Sequence, residues 1–288
     1  MKPHNPDYKV INPQSPEQAA EALASEGKVL PLAGGTDLFV SIRYGNLSPC
    51  TLVNLAACDE LVGPAEWEDG DLILKAMTTF KDVRYDENIE QKFPLLNKAC
   101  RMLSVIPIQS RATWAGNVAN ASPCANGAAA LMAYDAELIL LGPDGERTVK
   151  IDQFFHDYKK IEMRDNEFIY KIRIPAIKPG WKNYYRDVGA RAYQSISKTL
   201  LAGRIKINAD QKIEDVRIAC GSVAPYTLRC VDTEAALREE KLDEKAIESA
   251  VEALQGEIAP IDDIRSNQQY RRRVTENMLR EFLTSNLS

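Results

Sequence analysis

A strand-like segment, residues 28–32, runs directly into Ala33-Gly34-Gly35-Thr36-Asp37. Adjacent glycines let the backbone turn so that successive N–H groups converge on one point, and such a concavity binds phosphate oxygens without a positive side chain. The hydroxyl of Thr36 can donate a further hydrogen bond. An ordinary strand-to-helix turn, with Thr36 or Asp37 as the N-cap, explains this loop alone equally well.

A second polar loop begins at Thr113-Trp-Ala-Gly-Asn117 and continues to residue 126. The whole segment 104–126 has no clear period and is predicted to be irregular. Its neutral donors and acceptors are Thr113, Asn117, Asn120, Ser122 and Asn126. A surface loop is the alternative, because Asn, Ser and Pro are ordinary turn formers. The apolar stretches on both sides favour a loop that lines an interior, so the two loops together predict a site for a large phosphorylated cofactor.

Signatures of other catalytic classes are missing from the sequence. It contains no GxGxxG, GxxxxGK[ST] or GxSxG, which disfavours Rossmann, P-loop and serine-hydrolase sites. The six cysteines form no CxxC, so zinc and iron–sulfur sites are disfavoured, and we expect four or more of them to be small buried side chains. With His4 and His156 as the only histidines, neither metal ligands nor a catalytic triad is predicted.

The charge balance bears on partners and location. The chain of 288 residues has 36 Lys and Arg against 41 Asp and Glu, a net charge of −5 that argues against nucleic-acid binding. No apolar run is long enough to span a bilayer, and the first residues, MKPHNPDYKVINP, lack the apolar core of a signal peptide. We therefore expect a soluble, cytoplasmic protein.

The elements that position these loops form three groups. In a first lobe, Ser15 and Gln18 are predicted to form a capping box on a helix that stops at Gly27, followed by a strand at 28–32, a helix at 37–44 and a strand at 51–55. A second lobe is predicted to contain helices at 94–103 and 127–134, a helix capped by Thr79, and strands at 71–76, 136–141, 148–151 and 167–174.

A linker at 176–180 separates these lobes from the rest of the chain. Beyond it we predict strands at 183–188, 195–207 and 215–223, then helices at 232–239, 243–254 and 267–283. Strands followed by helices indicate an α+β domain. The run Arg271-Arg272-Arg273 is interpreted as a solvated helix face, with a surface for an acidic partner as the alternative.

Four segments, in order, resemble the FAD-binding (medium) subunits of molybdenum hydroxylases, the group of xanthine dehydrogenase, carbon monoxide dehydrogenase and nicotinate dehydrogenase. PLAGGTDL at 31–38 and IQSRATWAGNVANASP at 108–123 resemble the family's two FAD motifs, AGG[TS] followed by Asp, Asn or Glu, and TxGGNxA with a downstream SPxxD. GSVAP at 221–225 and YRRR at 270–273 resemble its C-terminal GGVAP and YRR segments. The resemblance covers essentially the whole chain.

The resemblance implies an α+β protein with a two-lobed FAD-binding fold of the vanillyl-alcohol oxidase type. That domain would comprise residues 1–176, with lobes of about 1–58 and 59–176, and a smaller α+β C-terminal domain would comprise residues 181–288. The lobes would clasp non-covalently bound FAD.

The resemblance also implies site residues. The pyrophosphate cradle of the first loop would be formed by Leu32, Ala33, Gly34, Gly35, Thr36 and Asp37. The second loop would bind the pyrophosphate and the flavin side through Thr113, Gly116, Asn117, Ser122 and Asn126. Contacts with the adenine or flavin rings are implied for Leu103, Ile169 and Lys198. Plain core packing is the alternative for Leu103 and Ile169, and an exposed charge is the alternative for Lys198.

Two positions depart from the family pattern. Ala115 replaces the first glycine of GGN, so the backbone must be regular or slightly strained there. Asn126 replaces the acid of SPxxD, which adds donors and removes a charge. Both departures put the contacts with FAD in doubt rather than FAD itself.

The function implied is that of an electron-transfer subunit in an oxidoreductase complex. Electrons would pass from two [2Fe–2S] clusters on a small partner subunit through FAD to NAD⁺ or another acceptor, while a large partner subunit would hold the molybdenum cofactor. A dimer of heterotrimers is expected. One alternative is a stand-alone flavin oxidoreductase, with Tyr193, Lys198 or Asp187 as its base. The other is a structural subunit that has lost FAD, which Ala115 and Asn126 would favour.

Overall fold

The computed structural model describes residues 8–191 and 194–287. Two residues discussed above, His4 and Tyr193, lie outside the described residues. These described residues fold into three sheets of three, five and four strands, a small two-stranded hairpin, and helices that pack between and around them.

The first lobe is a parallel sheet covered by short helices. Its elements are β1 (Lys9–Ile11), α1 (Pro16–Leu23), β2 (Val29–Leu32), α2 (Leu38–Arg43) and β3 (Thr51–Asn54). The strand order is β1-β3-β2, and both pairings are parallel. Ser15 caps α1 by accepting from the Gln18 N–H, but the Gln18 side chain accepts from Gln14 N–H. The predicted capping box is therefore wrong by one residue, because the Gln18 side chain accepts from the N–H of Gln14 instead of the N–H of the N-cap residue Ser15.

The second lobe contains a five-stranded antiparallel sheet and six helices. The elements up to the second polar loop are β4 (Glu66–Glu68), β5 (Asp71–Lys75), α3 (Phe80–Arg84), α4 (Glu87–Lys92), α5 (Pro94–Met102), α6 (Ile106–Gln109) and α7 (Trp114–Ala119). After it come α8 (Asn126–Ala133), β6 (Glu137–Gly142), β7 (Gly145–Lys150), β8 (Phe155–Asp157), β9 (Lys160–Ile161) and β10 (Phe168–Ile174). The sheet order is β4-β5-β10-β6-β7, and β8 pairs only with β9.

The prediction of an irregular segment at 104–126 is wrong in part, because α6 and α7 lie within it. Thr113 caps α7 by accepting from the Gly116 N–H at 3.0 Å. Trp114 is fully buried and stacks on Phe80 with ring centroids 4.3 Å apart. The helix α7 is therefore stabilised by tertiary packing, and it is too short to show a hydrophobic period in the sequence.

The C-terminal part is a four-stranded antiparallel sheet with helices on one face. Its elements are β11 (Trp181–Val188), β12 (Thr199–Ile207), β13 (Ile213–Gly221), β14 (Leu228–Arg229), α9 (Val231–Leu237), α10 (Glu244–Glu257) and α11 (Gln268–Thr284). Alternate residues of a strand face opposite sides of the sheet. On β12, Leu201 and Ile205 pack toward these helices, while Leu200 and Ala202 join the core of the second lobe. Both faces of the sheet are thus covered.

Charged residues join the C-terminal sheet to the second lobe. Asp135 accepts from Arg217 at 2.7 Å and from Arg229 at 2.9 Å, and Arg229 also donates to the Met132 carbonyl. Arg204, which is 5% exposed, lies over the Tyr134 ring. This junction is held by guanidinium groups with fixed partners.

The arginine run on α11 is not a solvated face, and that interpretation is wrong. Arg271 is 3% exposed and donates to the carbonyls of Lys198 and Ser222 and to Asp263. Arg272 donates to two backbone carbonyls, and only Arg273 of the three is exposed. The run anchors the helix to the rest of the C-terminal part.

Five of the six cysteines are buried and Cys124 is half-buried, which confirms the expectation that most are small buried side chains. Among the helices of residues 8–191 and 194–287, none has the length and apolar character needed to cross a membrane.

Candidate cofactor site

The two glycine-bearing loops meet at one cavity of about 580 Å³, a size typical of ligand sites. Both lobes contribute to its walls, and Ser195, Ile196 and Ser197 from the C-terminal part complete them. Twelve of the predicted site residues line it: Ala33, Gly34, Gly35, Thr36, Asp37, Leu103, Thr113, Gly116, Asn117, Ser122, Asn126 and Ile169. The fold therefore brings together two loops that are almost 80 residues apart in the sequence.

The first loop needs both of its glycines. A Cβ on Gly34 would lie 1.8 Å from the carbonyl oxygen of Arg111, and Arg111 Nε donates to the Gly34 carbonyl. Gly35 has a φ of +73°, and a Cβ there would lie 2.5 Å from the Phe39 ring. The first loop thus packs tightly against Arg111, which precedes the second loop. No side chain of Gly34 or Gly35 covers its backbone on the cavity side.

The N–H groups of this loop are available to a ligand. Neither Gly35 N–H nor Thr36 N–H donates to an acceptor among the described residues. Asp37 occupies the N-cap position of α2, but its side chain makes no capping hydrogen bond. Backbone N–H groups without partners beside a cavity favour an anionic ligand.

The second loop is equally tight. A Cβ on Gly116 would lie 2.9 Å from Thr113 Oγ1, the atom that caps α7. Ala115 lies inside α7, and its φ is not positive. Of the two expectations for Ala115, a regular or a slightly strained backbone, the structure shows the regular one.

Asn117 presents an unpaired acceptor. Its Oδ1 is buried beside Gly127 of α8, where a Cβ would lie 2.7 Å from it, and has no hydrogen-bond partner among residues 8–191 and 194–287. A buried oxygen without a donor costs about 1–3 kcal/mol. Because Asn117 also lines the cavity, its amide is a candidate to bond a ligand group.

Asn126, the second departure, is engaged by the C-terminal part. Its Nδ2 donates to Asp187 Oδ2 at 2.7 Å and to the Tyr185 hydroxyl at 3.2 Å. Burial raises the pKa of Asp187, and the neighbouring Ser197 and Asn126 only partly offset that effect. Burial also raises the pKa of Tyr185 far above its usual range, so this hydroxyl stays protonated.

The remaining predicted residues divide into two kinds. Leu103 and Ile169 form apolar wall, and Ile169 is 3% exposed. Leu32 and Lys198 are not among the lining residues, although both adjoin residues that are. The Lys198 ammonium lies 5.2 Å from the Tyr270 ring centroid, and its backbone N–H donates to Val188.

Several cavity residues were not predicted. Met163 and Phe168 add apolar wall, and Lys159 in the β8–β9 turn, which does not itself line the cavity, donates to Oδ1 of the lining residue Asn120 at 2.9 Å. Burial lowers the pKa of Lys159, and the charge of Asp37 opposes that shift. No pattern in residues 155–163 marks them, because they reach the cavity only through tertiary packing.

Comparisons with known proteins identify the family. A family model described as the FAD binding domain in molybdopterin dehydrogenase matches residues 6–177, and one described as the CO dehydrogenase flavoprotein C-terminal domain matches residues 184–286. The chain belongs to the FAD-binding medium subunits of the carbon monoxide dehydrogenase and xanthine dehydrogenase family. The resemblance drawn from the four sequence segments is confirmed.

Relatives match over nearly their whole lengths. The glyceraldehyde dehydrogenase medium chain of Sulfolobus acidocaldarius is 26% identical, over 94% of this chain and 95% of that protein. The xanthine dehydrogenase FAD-binding subunit of Escherichia coli O157:H7 is 25% identical, over 92% and 91%. A solved carbon monoxide dehydrogenase chain from Hydrogenophaga pseudoflava is 26% identical, covers 96% of each chain and superposes with a TM-score of 0.91. The predicted α+β class, with an FAD-binding domain and a C-terminal domain, is confirmed, as is membership of an oxidoreductase family.

The residues present fit FAD. Gly34 and Gly35 let the first loop pack against Arg111 and Phe39 at distances that a Cβ would forbid, and the N–H groups of Gly35 and Thr36 suit phosphate oxygens. The unpaired Asn117 oxygen suits a hydroxyl or N–H donor of the cofactor. Neither Ala115 nor Asn126 obstructs this arrangement, since one is helical and the other is held against the wall.

Proposed function

We propose that this family member is the FAD-binding electron-transfer subunit of a multi-subunit, cytoplasmic molybdenum hydroxylase. It would receive electrons from [2Fe–2S] clusters of a small partner subunit and deliver them to NAD⁺ or another acceptor. A large partner subunit would hold the molybdenum cofactor, in a dimer of heterotrimers. Relatives named as medium chains support this division of labour among subunits.

One observation carries the proposal: unpaired donors and acceptors of the two loops converge on one cavity. The first loop, Leu32 to Asp37, offers backbone N–H groups to a pyrophosphate, and Thr113, Gly116 and Asn117 offer the second set of contacts. We also propose cofactor contacts for Ser122, Asn126, Leu103, Ile169 and Lys198. When bound, FAD supplies the redox chemistry, since it accepts and releases electrons.

The chain's own residues bind, orient and tune rather than react. Asp37 is the one charged side chain among the described lining residues, which therefore contain no charged acid–base pair. Asp187, a candidate base of the stand-alone alternative, has one carboxylate oxygen occupied by Asn126. We propose residues 1–176 as the FAD-binding domain and 181–288 as the C-terminal domain, a division supported by the matches of the two family models to residues 6–177 and 184–286.

The first test is the visible absorbance of the purified full chain, before and after denaturation and filtration. We expect a flavin band that passes into the filtrate and has the mass of FAD. Flavin retained on the denatured protein would contradict non-covalent binding. The half-buried Cys124 in the cavity wall would then be the first residue to test for covalent attachment. A colourless chain that takes up no added FAD would overturn the proposed function.

A variant at Asn117 tests the site itself. Asn117→Leu removes the unpaired buried oxygen, so we expect the cofactor-free protein to become more stable by about 1 kcal/mol while FAD affinity falls roughly tenfold. Thermal unfolding and flavin-fluorescence titration measure the two effects. Thr148→Val, at an exposed position of β7, is the control and should change neither. Loss of both stability and affinity would instead indicate a structural role for Asn117.

A further inference from the structure

The wall of the cavity at Asn126 is joined to the C-terminal sheet by a three-residue hydrogen-bond cluster. Asn126 Nδ2 donates to Asp187 Oδ2 and to the Tyr185 hydroxyl, and that hydroxyl also lies 3.3 Å from the Asn126 carbonyl oxygen, to which it can donate. No residue of the first lobe takes part. Residues of the C-terminal sheet therefore fix the position of Asn126, a side chain of the second lobe that lines the cavity.

The cluster fixes which way round the Asn126 amide lies. A carboxylate only accepts hydrogen bonds, so Asp187 selects the NH₂ group of the amide and turns the carbonyl oxygen away. Asn126 Oδ1 receives no hydrogen bond from any residue in the described ranges. The amide thus behaves as an oriented acceptor rather than as a group free to flip.

The partners of Asn126 are themselves held rigidly. Tyr185 and Asp187 are two residues apart on β11, so their side chains lie on the same face of the sheet. They pair with Ala202 and Leu200 of β12, which are fully buried in the core of the second lobe. Asp187 cannot move relative to the cavity without disturbing that packing.

We propose that Asp187 is a positioning residue for the cofactor, acting through Asn126. It holds the amide so that Asn126 Oδ1 accepts a hydrogen bond from a hydroxyl or N–H group of FAD. This inference rests on the proposed FAD function and adds a residue from the C-terminal part to it. Asp187 itself touches no cofactor in this proposal, and the competing interpretation is a structural tie between two parts of the chain.

The test is a double-mutant cycle on the full chain, with the dissociation constant for FAD measured by flavin-fluorescence titration. Asp187→Asn lets the amide at 126 turn over, and we expect affinity to fall roughly 3- to 10-fold, the value of one hydrogen bond. Asn126→Ala should cost about the same. In the Asn126→Ala background, Asp187→Asn should then add less than about twofold, because its route to the cofactor is already gone.

An exchange of the two side chains separates positioning from folding. In N126D/D187N the carboxylate at 126 accepts from the new amide at 187 and still presents an oxygen to the cavity, so affinity should return to within about threefold of the parent. The control is Asp135→Asn, another carboxylate at the same junction, which bonds to Arg217 and Arg229 away from the cavity. It should lower thermal stability and leave the FAD dissociation constant unchanged.

The outcomes decide between the two interpretations. If D187N binds FAD like the parent, or if it costs as much in the Asn126→Ala background as alone, the positioning role is wrong. If D187N does not fold, the exchanged pair decides: recovery of affinity supports the role, and a folded exchange variant without recovery overturns it. A parent chain that binds no FAD fails on the proposed function instead, before any variant is compared.

Competition with ADP and with FMN identifies the donor on the cofactor. If D187N weakens ADP, the hydroxyl or N–H group belongs to the adenosine half. If it weakens FMN, the group belongs to the flavin half. Equal binding of both fragments by D187N and the parent, where the parent binds them, would count against a direct acceptor at Asn126.

Discussion

The cofactor cavity and the arginine-rich C-terminal junction handle polar groups in opposite ways. In the cavity, donors and acceptors such as the Gly35 N–H and Asn117 Oδ1 lack partners among the described residues. In the C-terminal part, the half-buried Arg229 at the junction and the buried Arg271 on α11 have three partners each. The first region leaves groups of both loops open to a ligand, whereas the arginines of the second have most of their donors, though not Arg271 Nε, bonded within the chain. Removing a group should therefore affect binding in one region and folding in the other.

The largest effect on stability is expected for the loss of Arg271, which holds three hydrogen-bond partners together. Arg271→Met removes the side chain that donates to the carbonyls of Lys198 and Ser222 and to Asp263, so the free energy of unfolding should fall by roughly 3 kcal/mol. Denaturant unfolding followed by circular dichroism measures it. Arg273→Met, on an exposed position of the same helix, should change stability by less than about 0.5 kcal/mol. Equal losses for both variants would break the contrast drawn for the junction.

A methyl group in the first loop should act on binding. At Gly34, Ala would place its Cβ against the Arg111 carbonyl, so the loop must shift, and FAD affinity should fall about 100-fold or more. Flavin-fluorescence titration measures this. Gly256→Ala is the matched control, since nothing lies within 4 Å of a Cβ there, and it should leave affinity unchanged. If Gly34→Ala binds FAD normally, the close packing of the two loops is not what shapes the site.

Acid should weaken the hydrogen-bond network around Arg271 only at low pH, because the pKa of Asp263 is depressed. Burial raises the pKa of Asp263, but hydrogen bonds from the Arg265 and Ser266 N–H groups and from Arg271 outweigh it and lower the pKa from 3.8 to about 2. A depressed pKa contributes stability above pH 3.8 that is lost as pH falls through about 2. Asp263→Asn should thus cost roughly 1–2 kcal/mol at pH 7, with the difference from the parent shrinking between pH 4 and pH 2.

Stability of parent and Asp263→Asn, followed across this pH range, tests the assignment. Asp210→Asn, which changes an exposed carboxyl in a turn, should show a pH-independent difference near zero. A difference for Asp263→Asn that stays constant down to pH 2 would mean that its carboxylate charge does not stabilise the fold.

The smallest effect is expected at Ala115. Since this residue is helical, Ala115→Gly should lower stability by about 0.5–1 kcal/mol through backbone entropy and change FAD affinity less than twofold. Thermal unfolding and fluorescence titration again report the two quantities. A clear gain in FAD affinity would show that the methyl group of Ala115 hinders binding of the cofactor. The cavity would then fit FAD less well than its other residues indicate.

What could be predicted from the sequence was local. The loop at Gly34 and the cap at Thr113 have the residue types that their turns demand, so both loops were identified before their contact was known. The strand β1 was missed, because its three residues are exposed and become a strand only by pairing with β3. Short elements that depend on a distant partner leave little pattern in their own residues.

Long-range partners account for the other differences. Arg271 was placed on a solvated face because a run of charges normally is one, yet its acceptors come from three separate segments. Asp187 was considered as a base, but its contact with Asn126 spans 61 positions of the chain. Spacing within a motif carries no information on such pairs, since they arise when two folded parts dock.

The hydrogen bond from Ser222 N–H to the Pro123 carbonyl, at 2.7 Å, ties the cavity wall to residues nearly a hundred positions later. During synthesis, both glycine-bearing loops leave the ribosome long before β12 and β13 exist to support residues 122–126. The nascent chain therefore exposes a cofactor site with one wall undefined. FAD loading should follow the release of the finished polypeptide, and ribosome-bound chains that stop before the C-terminal sheet should retain no flavin.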